Sequence, residues 1–200
     1  MKQRTAQTTA ALLLFTAAIA YRICAGLEGN HIQWLQDFSP VAAIALCGAI
    51  YLPKRIALLV PLAALFVSDI VLNIHYSQPL IAMEMALRYV ALGLIVVLGF
   101  ALRKKASFAT VLPTTVAGSL MFYVISNTGS WIDQPGYAKT FAGWVQALTT
   151  GLPGYAPTWM FFRSTFASDL LFTTLFVACM AVTQKRAEAT LPAGRLQHSA

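Results

Sequence analysis

The sequence predicts an all-α integral membrane protein of six transmembrane helices, and three observations carry that prediction. Of the 200 residues, 58% are hydrophobic and only 10% charged, against roughly 25% charged in soluble proteins, which is too few to make a water-facing surface. The apolar residues gather into runs near the roughly 20-residue length that crosses a bilayer. Between the runs, clusters of Lys and Arg fall on every second connection, the bias that orients membrane helices. A chain of this length is expected to form one domain.

The first run covers residues 8–24 and follows Lys2 and Arg4. The basic start, the apolar stretch 10–20 and the Ala18-Ile19-Ala20 triplet also fit a cleavable secretion signal, which would leave five spans with the start outside. Both readings stand at this point. The second run, 38–52, is the shortest for a span, and Ser39 followed by Pro40 reads as an N-cap and a first-turn proline. Further runs cover 56–74, 80–102, 108–126 and 165–183. Together they make a single transmembrane domain, residues 1–186, followed by a polar tail, 187–200, expected to be disordered and to give His198 no functional weight.

The segment 127–164 is the longest stretch between spans. Within 137–150, Phe141, Trp144, Val145 and Leu148 recur at helical spacing and predict an amphipathic helix on the outer surface. Gly151-Leu152-Pro153-Gly154 stops it. Trp131, Trp144 and Trp159 fit an outer aromatic belt. Long connections are usually functional, so the segment also reads as a lid over a site.

Ten of the 14 basic residues, namely Lys2, Arg4, Lys54, Arg55, Arg103, Lys104, Lys105, Lys185, Arg186 and Arg195, share one face with only Glu188 of the 7 acidic ones. That face is expected to be cytoplasmic, and with it both termini. The net charge of +7 therefore calls for no nucleic-acid partner, since no basic stripe or interleaved aromatic platform is present. Cys24, Cys47 and Cys179 lie far apart in apolar sequence, without zinc spacing, and read as small buried hydrophobes.

Ionisable groups inside spans are costly and mark function by default, which singles out Asp69, Glu84, Arg88 and Asp169. At 1.5 Å per residue, Asp69 lies roughly 21 Å from the boundary at Arg55, Arg88 roughly 22 Å from Arg103, and Asp169 roughly 24 Å from Lys185. Three charges on three spans thus share one level in the outer third of the membrane. Glu84 precedes Arg88 by one turn, a spacing that allows an ion pair. One reading makes these groups a structural network, because any buried charge needs a partner. The other makes Asp69, Arg88 and Asp169 the floor of a polar, outward-facing pocket, with Asn73, His75, Tyr76, Asn127, Trp131 and Arg163 near its mouth. The two are compatible.

His31 and His75 are single histidines without the paired spacing of a metal site, so neither a metal nor another cofactor is expected. No GxSxG, HExxH or glycine-rich phosphate loop occurs, and the chain is not expected to be an enzyme. Asp69 and Asp169 could formally supply the paired aspartates of an intramembrane protease, although Ser68-Asp69 and Ser168-Asp169-Leu170 do not suggest it. Without an ATP-binding motif, any active uptake would need an energising partner, an ion gradient or trapping of the substrate.

Four stretches carry a family resemblance: Phe38-Ser39-Pro40-Val41-Ala42-Ala43-Ile44-Ala45-Leu46, Val60-Pro61-Leu62-Ala63-Ala64 through Ser68-Asp69, Asn127-Thr128-Gly129-Ser130-Trp131, and Phe161-Phe162-Arg163-Ser164-Thr165 with Asp169-Leu170. They resemble a family of functionally uncharacterised bacterial membrane proteins. That family is similar in span number and layout to the S components of energy-coupling factor transporters, the small membrane subunits that capture vitamins. The resemblance covers roughly residues 38–183, and the Asn-x-Gly-x-Trp and Phe-Phe-Arg-x-Thr elements are its more specific parts.

The resemblance implies an S-component-like six-helix bundle in the bacterial inner membrane, with a ligand pocket near the outer face closed by the loops after spans one, three and five. Asp69, Asn127, Trp131, Arg163 and Asp169 match positions that the family pattern retains. Where that family usually runs a glycine-leucine-proline turn almost directly into the two aromatics, this chain has Ala156-Pro157-Thr158-Trp159-Met160, which implies a longer lid and a different ligand. Ala6 and Ala10 are a faint match to the small residues with which S components dock on a shared energising module, so a subunit and a solitary transporter are both implied. The expected partners are a small vitamin-like or other organic substrate, membrane lipid and an energising module. The alternative is a non-transporting scaffold or assembly factor whose buried charges are structural.

Overall fold

In the computed structural model, residues 2–28, 38–77 and 83–189 are described. The apolar runs become helices: α1 (Lys2–Glu28), α2 (Val41–Tyr51), α3 (Leu59–His75), α4 (Met83–Leu102), α5 (Phe108–Asp133), α6 (Phe141–Leu148) and α7 (Thr158–Ala189), with no strand among the described residues. Thr8–Leu27, Met85–Leu102, Phe108–Asp133 and Thr158–Arg186 are each long and apolar enough to cross a membrane. The molecule is therefore a helical, membrane-embedded protein, with four helices of spanning length among the described residues. Val41–Tyr51 and Pro61–His75 are apolar but shorter.

Helix bounds and apolar runs differ most around 127–164. Helix α5 continues to Asp133, past the end of its apolar run, and α7 starts at Thr158, before the next run begins. Hydropathy marks where side chains suit lipid, whereas a helix needs only backbone pairing. Polar side chains here fold back onto that backbone: Ser126 Oγ donates to Phe122 O at 2.7 Å and Thr128 Oγ1 to Val124 O at 2.7 Å. The expected amphipathic helix is α6, whose N-cap Thr140 accepts from Gly143 N at 3.2 Å. It ends where Gly151 takes φ +70°, a left-handed conformation that glycine adopts without steric cost. Helix α7 runs to Ala189, into the tail expected to be disordered. The rest of that tail, His31 and the beginning of the fourth run lie outside the described residues.

Helix α2 sits at the centre, surrounded by α3, α1, α7, α5 and α4 in that order. Its residues from Val41 to Ile50 are all buried, which is why this run is apolar on every side and shows no polar stripe. Lipid tails are as apolar as leucine, so packing, close backbone approach and hydrogen bonds between helices hold such bundles together. A Cβ on Gly99 of α4 would lie 2.5 Å from Ala49 Cβ and 2.9 Å from Leu46 O of α2, so only glycine permits that crossing. Phe15 of α1 and Phe176 of α7 meet with ring centroids 5.0 Å apart. Between α5 and α7, Thr115 Oγ1 donates to Thr173 Oγ1 at 3.2 Å.

With 11 residues, α2 is about 16 Å long, so both of its ends lie within the bundle, where their unpaired backbone groups need partners. Its N-cap residue is Pro40, which brings no side-chain cap. Ser39, the expected cap, instead accepts from Arg22. The cap comes from α7: Asp169 Oδ1 accepts from Ala43 N at 2.9 Å. At the other end, Arg103 donates from Nε to Ala49 O at 2.9 Å and from Nη2 to Leu52 O. An anion at the N-terminus and a cation at the C-terminus both oppose the helix dipole.

Candidate functional site

At the end of the bundle where α1, α3 and α5 finish and α2, α4 and α7 begin, the helices leave a cavity of about 480 Å³. On one side, α1, α3 with the turn after it, and α4 contribute Arg22, Asp69, Asn73, Tyr76 and Arg88. On the other, α5 contributes Phe122 and Tyr123 together with Ser126, Asn127 and Ser130, while α7 contributes Thr158, Phe161, Phe162 and Thr165. Ser39 and Val41, where α2 begins, also line it. Tyr123 and Phe162 pack with ring centroids 4.5 Å apart. The Tyr76 hydroxyl donates to Gly26 O and so ties the ends of α3 and α1 together.

Asp69 forms an ion pair with Arg22 of α1, the two side chains being 4% and 10% exposed. The guanidinium also donates to Ser68 Oγ at 2.9 Å and to Ser39 Oγ. The second carboxylate oxygen of Asp69 accepts from the Tyr89 hydroxyl at 3.0 Å. Both oxygens are thus engaged, and the cation beside this carboxylate belongs to α1, not to α4. The pair is buried enough that neither charge could stand alone.

Residues 2–191 match the pattern of a family of unknown function, DUF6580. The chain belongs to that family. No curated protein and no solved structure matches it.

In this DUF6580 chain the expected site residues divide into three groups. Asp69, Tyr76, Arg88 and Asn127 line the cavity, as does Asn73. Asp169, His75, Trp131 and Arg163 do not. Asp169 is fully buried behind the wall, holding Ala43 N and the Ser119 hydroxyl, the latter at 2.7 Å. It corrects the expectation of a shared polar floor, because its depth matches that of Asp69 and Arg88 while its direction points at the α2 N-terminus. His75 is exposed and packs edge-on against Tyr76. Trp131 donates from Nε1 to Ala138 O at 2.8 Å and carries Lys139 over its ring, and Arg163 lies over the ring of Trp159, 5.8 Å from its centroid. Glu84 belongs to α4, but its side chain lies outside the described residues.

The segment expected to roof the pocket contributes through its helical ends. None of residues 135–157 lines the cavity. Helix α6 is held against α5, with Trp144 Nε1 donating to Thr128 Oγ1 at 2.9 Å and the Tyr123 hydroxyl to Leu148 O. No group of three or more His, Cys, Asp or Glu side chains able to hold a metal occurs among the described residues. Asp69 and Asp169 have separate partners and form no shared carboxylate pair.

Arg22 is the charged cavity residue that sequence reasoning missed. It stands inside the first apolar run, and the rule that singled out Asp69 applies to it equally. Phe161 and Phe162 were legible as a motif but not as cavity wall. The serines and threonines carried no signal, because such residues along a membrane helix usually bond to their own backbone.

Proposed function

We propose that this protein is a membrane-embedded substrate-binding subunit or solitary transporter for a small organic nutrient, crossing the bilayer six times with α2 and α3 as the short members. The observation that carries this reading is the cavity of about 480 Å³, within the roughly 300–1,000 Å³ usual for small-ligand sites. Its polar lining is costly in a lipid setting, and a bound polar molecule repays that cost. In this reading the cavity opens to the outside. The end opposite to it collects Lys54, Arg55, Arg103, Lys104, Lys105, Lys185 and Arg186, which the positive-inside rule assigns to the cytoplasm. The polar ends of α5 and α7 flank the mouth, and energy for uptake comes from a partner module, an ion gradient or trapping.

Orientation is tested by cysteine labelling in a background with Cys24, Cys47 and Cys179 replaced. Gln134→Cys, just past α5 on the cavity side, is expected to react with an impermeant maleimide in intact cells. Lys104→Cys, at the other end, is expected to react only after permeabilisation. The reverse pattern overturns the outward reading.

Binding is tested on purified protein with a vitamin and cofactor panel. A true ligand present at 100 times its dissociation constant is expected to raise the unfolding free energy by about 2.7 kcal/mol, read as a shift in thermal midpoint. A flat response across the panel removes the support for transport. It would favour a non-transporting scaffold, the reading to which the structural duties of Asp169 and of the Arg22–Asp69 pair lend weight.

A further inference from the structure

On the α5 wall of the cavity the polar groups have already committed hydrogens elsewhere. Tyr123 donates its hydroxyl hydrogen to Leu148 O of α6, and Ser126 donates its own to Phe122 O, one turn back, at 2.7 Å. Asn127 donates from Nδ2 to Tyr123 O at 2.8 Å. A main-chain carbonyl can only accept, so this bond fixes which end of the amide meets the helix and leaves the Asn127 carbonyl oxygen to accept. None of these three side-chain oxygens accepts from a described residue. A hydroxyl has a single hydrogen, so Tyr123 and Ser126 have only acceptor capacity left. Ser119, 2% exposed and bonded to Asp169, offers the cavity little. The carboxylate on the other side, Asp69, already accepts from Arg22 with one oxygen and from Tyr89 with the other. Phe161 and Phe162 of α7 complete the lining beside α5. Phe162 packs on Tyr123 and on Phe166, with centroids 4.5 and 5.4 Å away, so its ring is held before any ligand arrives.

We infer that the occupant is an amino-substituted heteroaromatic ring, with its N–H groups on Ser126 and Asn127 and its ring against Phe161 and Phe162. The inference rests on the reading of the cavity as a ligand site and adds the chemistry of what fills it. Acceptors covered by a ligand that brings no donor lose their hydration without return, so the α5 wall selects a molecule with N–H groups at its edge. The phenyl rings offer offset or edge-on contacts to a planar body, and a ring already held by its neighbours adds little ordering cost on binding. An aromatic amine meets both demands at once, because its N–H bonds lie close to the plane of the ring and leave the faces apolar. The hydroxyls of Ser130 and Thr158, which also line the cavity, can rotate to donate to a ring nitrogen or to accept from a second amino group.

The test uses probes matched in shape on the full-length protein in detergent: adenine with 6-methylpurine and 2-aminopyrimidine with 2-methylpyrimidine, plus glucose and cyclohexanecarboxamide as donor-bearing molecules without a flat ring. Each amine is expected to bind about twofold to tenfold more tightly than its methyl counterpart, the range of a neutral hydrogen bond. Ser126→Ala combined with Asn127→Leu is expected to bring that ratio to one and to leave the affinity of the methyl compounds unchanged. Should the double variant fail to fold, Ser126→Ala alone is expected to lower the ratio. Phe161→Leu is expected to weaken both members of a pair alike and to preserve the ratio. Methyl compounds that bind as tightly as the amines overturn the donor-bearing ligand while leaving the ligand site standing. An amine preference that survives in the folded double variant, or in Ser126→Ala alone where that is the variant measured, overturns its assignment to the α5 wall. Glucose or cyclohexanecarboxamide binding as tightly as adenine overturns the flat ring. If no probe binds, the vitamin panel decides: a hit with an amino-substituted ring supports the inference, a hit without one overturns it and leaves the site, and a flat panel overturns both.

Discussion

Asp169→Ala is expected to lower the unfolding free energy by about 2–4 kcal/mol. The carboxylate is fully buried and accepts from Ala43 N at 2.9 Å and from the Ser119 hydroxyl at 2.7 Å. Alanine removes the acceptor from both donors, and the buried Ala43 N–H at the start of α2 loses its cap. Asp169→Asn keeps a carbonyl oxygen for Ala43 N–H and an amide that can meet the Ser119 oxygen, so it forfeits mainly the attraction of a negative charge for a helix N-terminus, about 0.3–2 kcal/mol. Reversible unfolding in detergent, with ligand affinity measured in parallel, checks both variants. The asparagine protein should bind as wild type does, because Asp169 does not line the cavity. Wild-type stability combined with lost binding would return Asp169 to the site and defeat the capping account.

Arg22→Leu is expected to cost about 3–5 kcal/mol, the usual penalty for stranding one member of a buried ion pair. It leaves Asp69, 3% exposed, with the Tyr89 hydroxyl as its remaining hydrogen-bond donor in the described structure. Ser68 suffers less, since its own hydroxyl already donates to Leu65 O at 2.8 Å. The double variant Arg22→Leu with Asp69→Leu removes both charges and should recover most of the loss, because a buried pair exchanged for apolar residues of similar size is often close to neutral. A double-mutant cycle reads the coupling directly. If the losses simply added, the pair would not be what joins α1 to α3, and the Tyr76–Gly26 hydrogen bond together with the packing of Leu72 against Gly26 would have to carry that contact.

These two sites show where sequence reasoning stops. The apolar runs, the alternation of basic connections and the amphipathic α6 were legible because each is a property of a single segment in its solvent. Asp69 and Arg88 were legible as unusual for the same reason: an ionised side chain in an apolar run is costly wherever the run packs. Partners were another matter. Asp69 was expected to share a level with Arg88 and Asp169, and depth along a helix axis can be counted from sequence. Direction around that axis cannot be assigned until the neighbouring helices are in place. Asp69 turned towards Arg22, and Asp169 towards the first turn of α2.

The sequence by itself determined that this chain lives in lipid, where its helices lie and which ends carry the positive charge, because hydropathy and charge bias act on each segment alone. The tertiary structure decided that α2 is a buried axis capped from α7 and from the residue after α4, that the first helix supplies the cation for Asp69, and that Asp169 serves the fold and not the cavity. Those choices depend on helix azimuth and crossing. In lipid, where burial among apolar neighbours carries little driving force, the few polar groups settle on whichever partner the packing brings within hydrogen-bond reach.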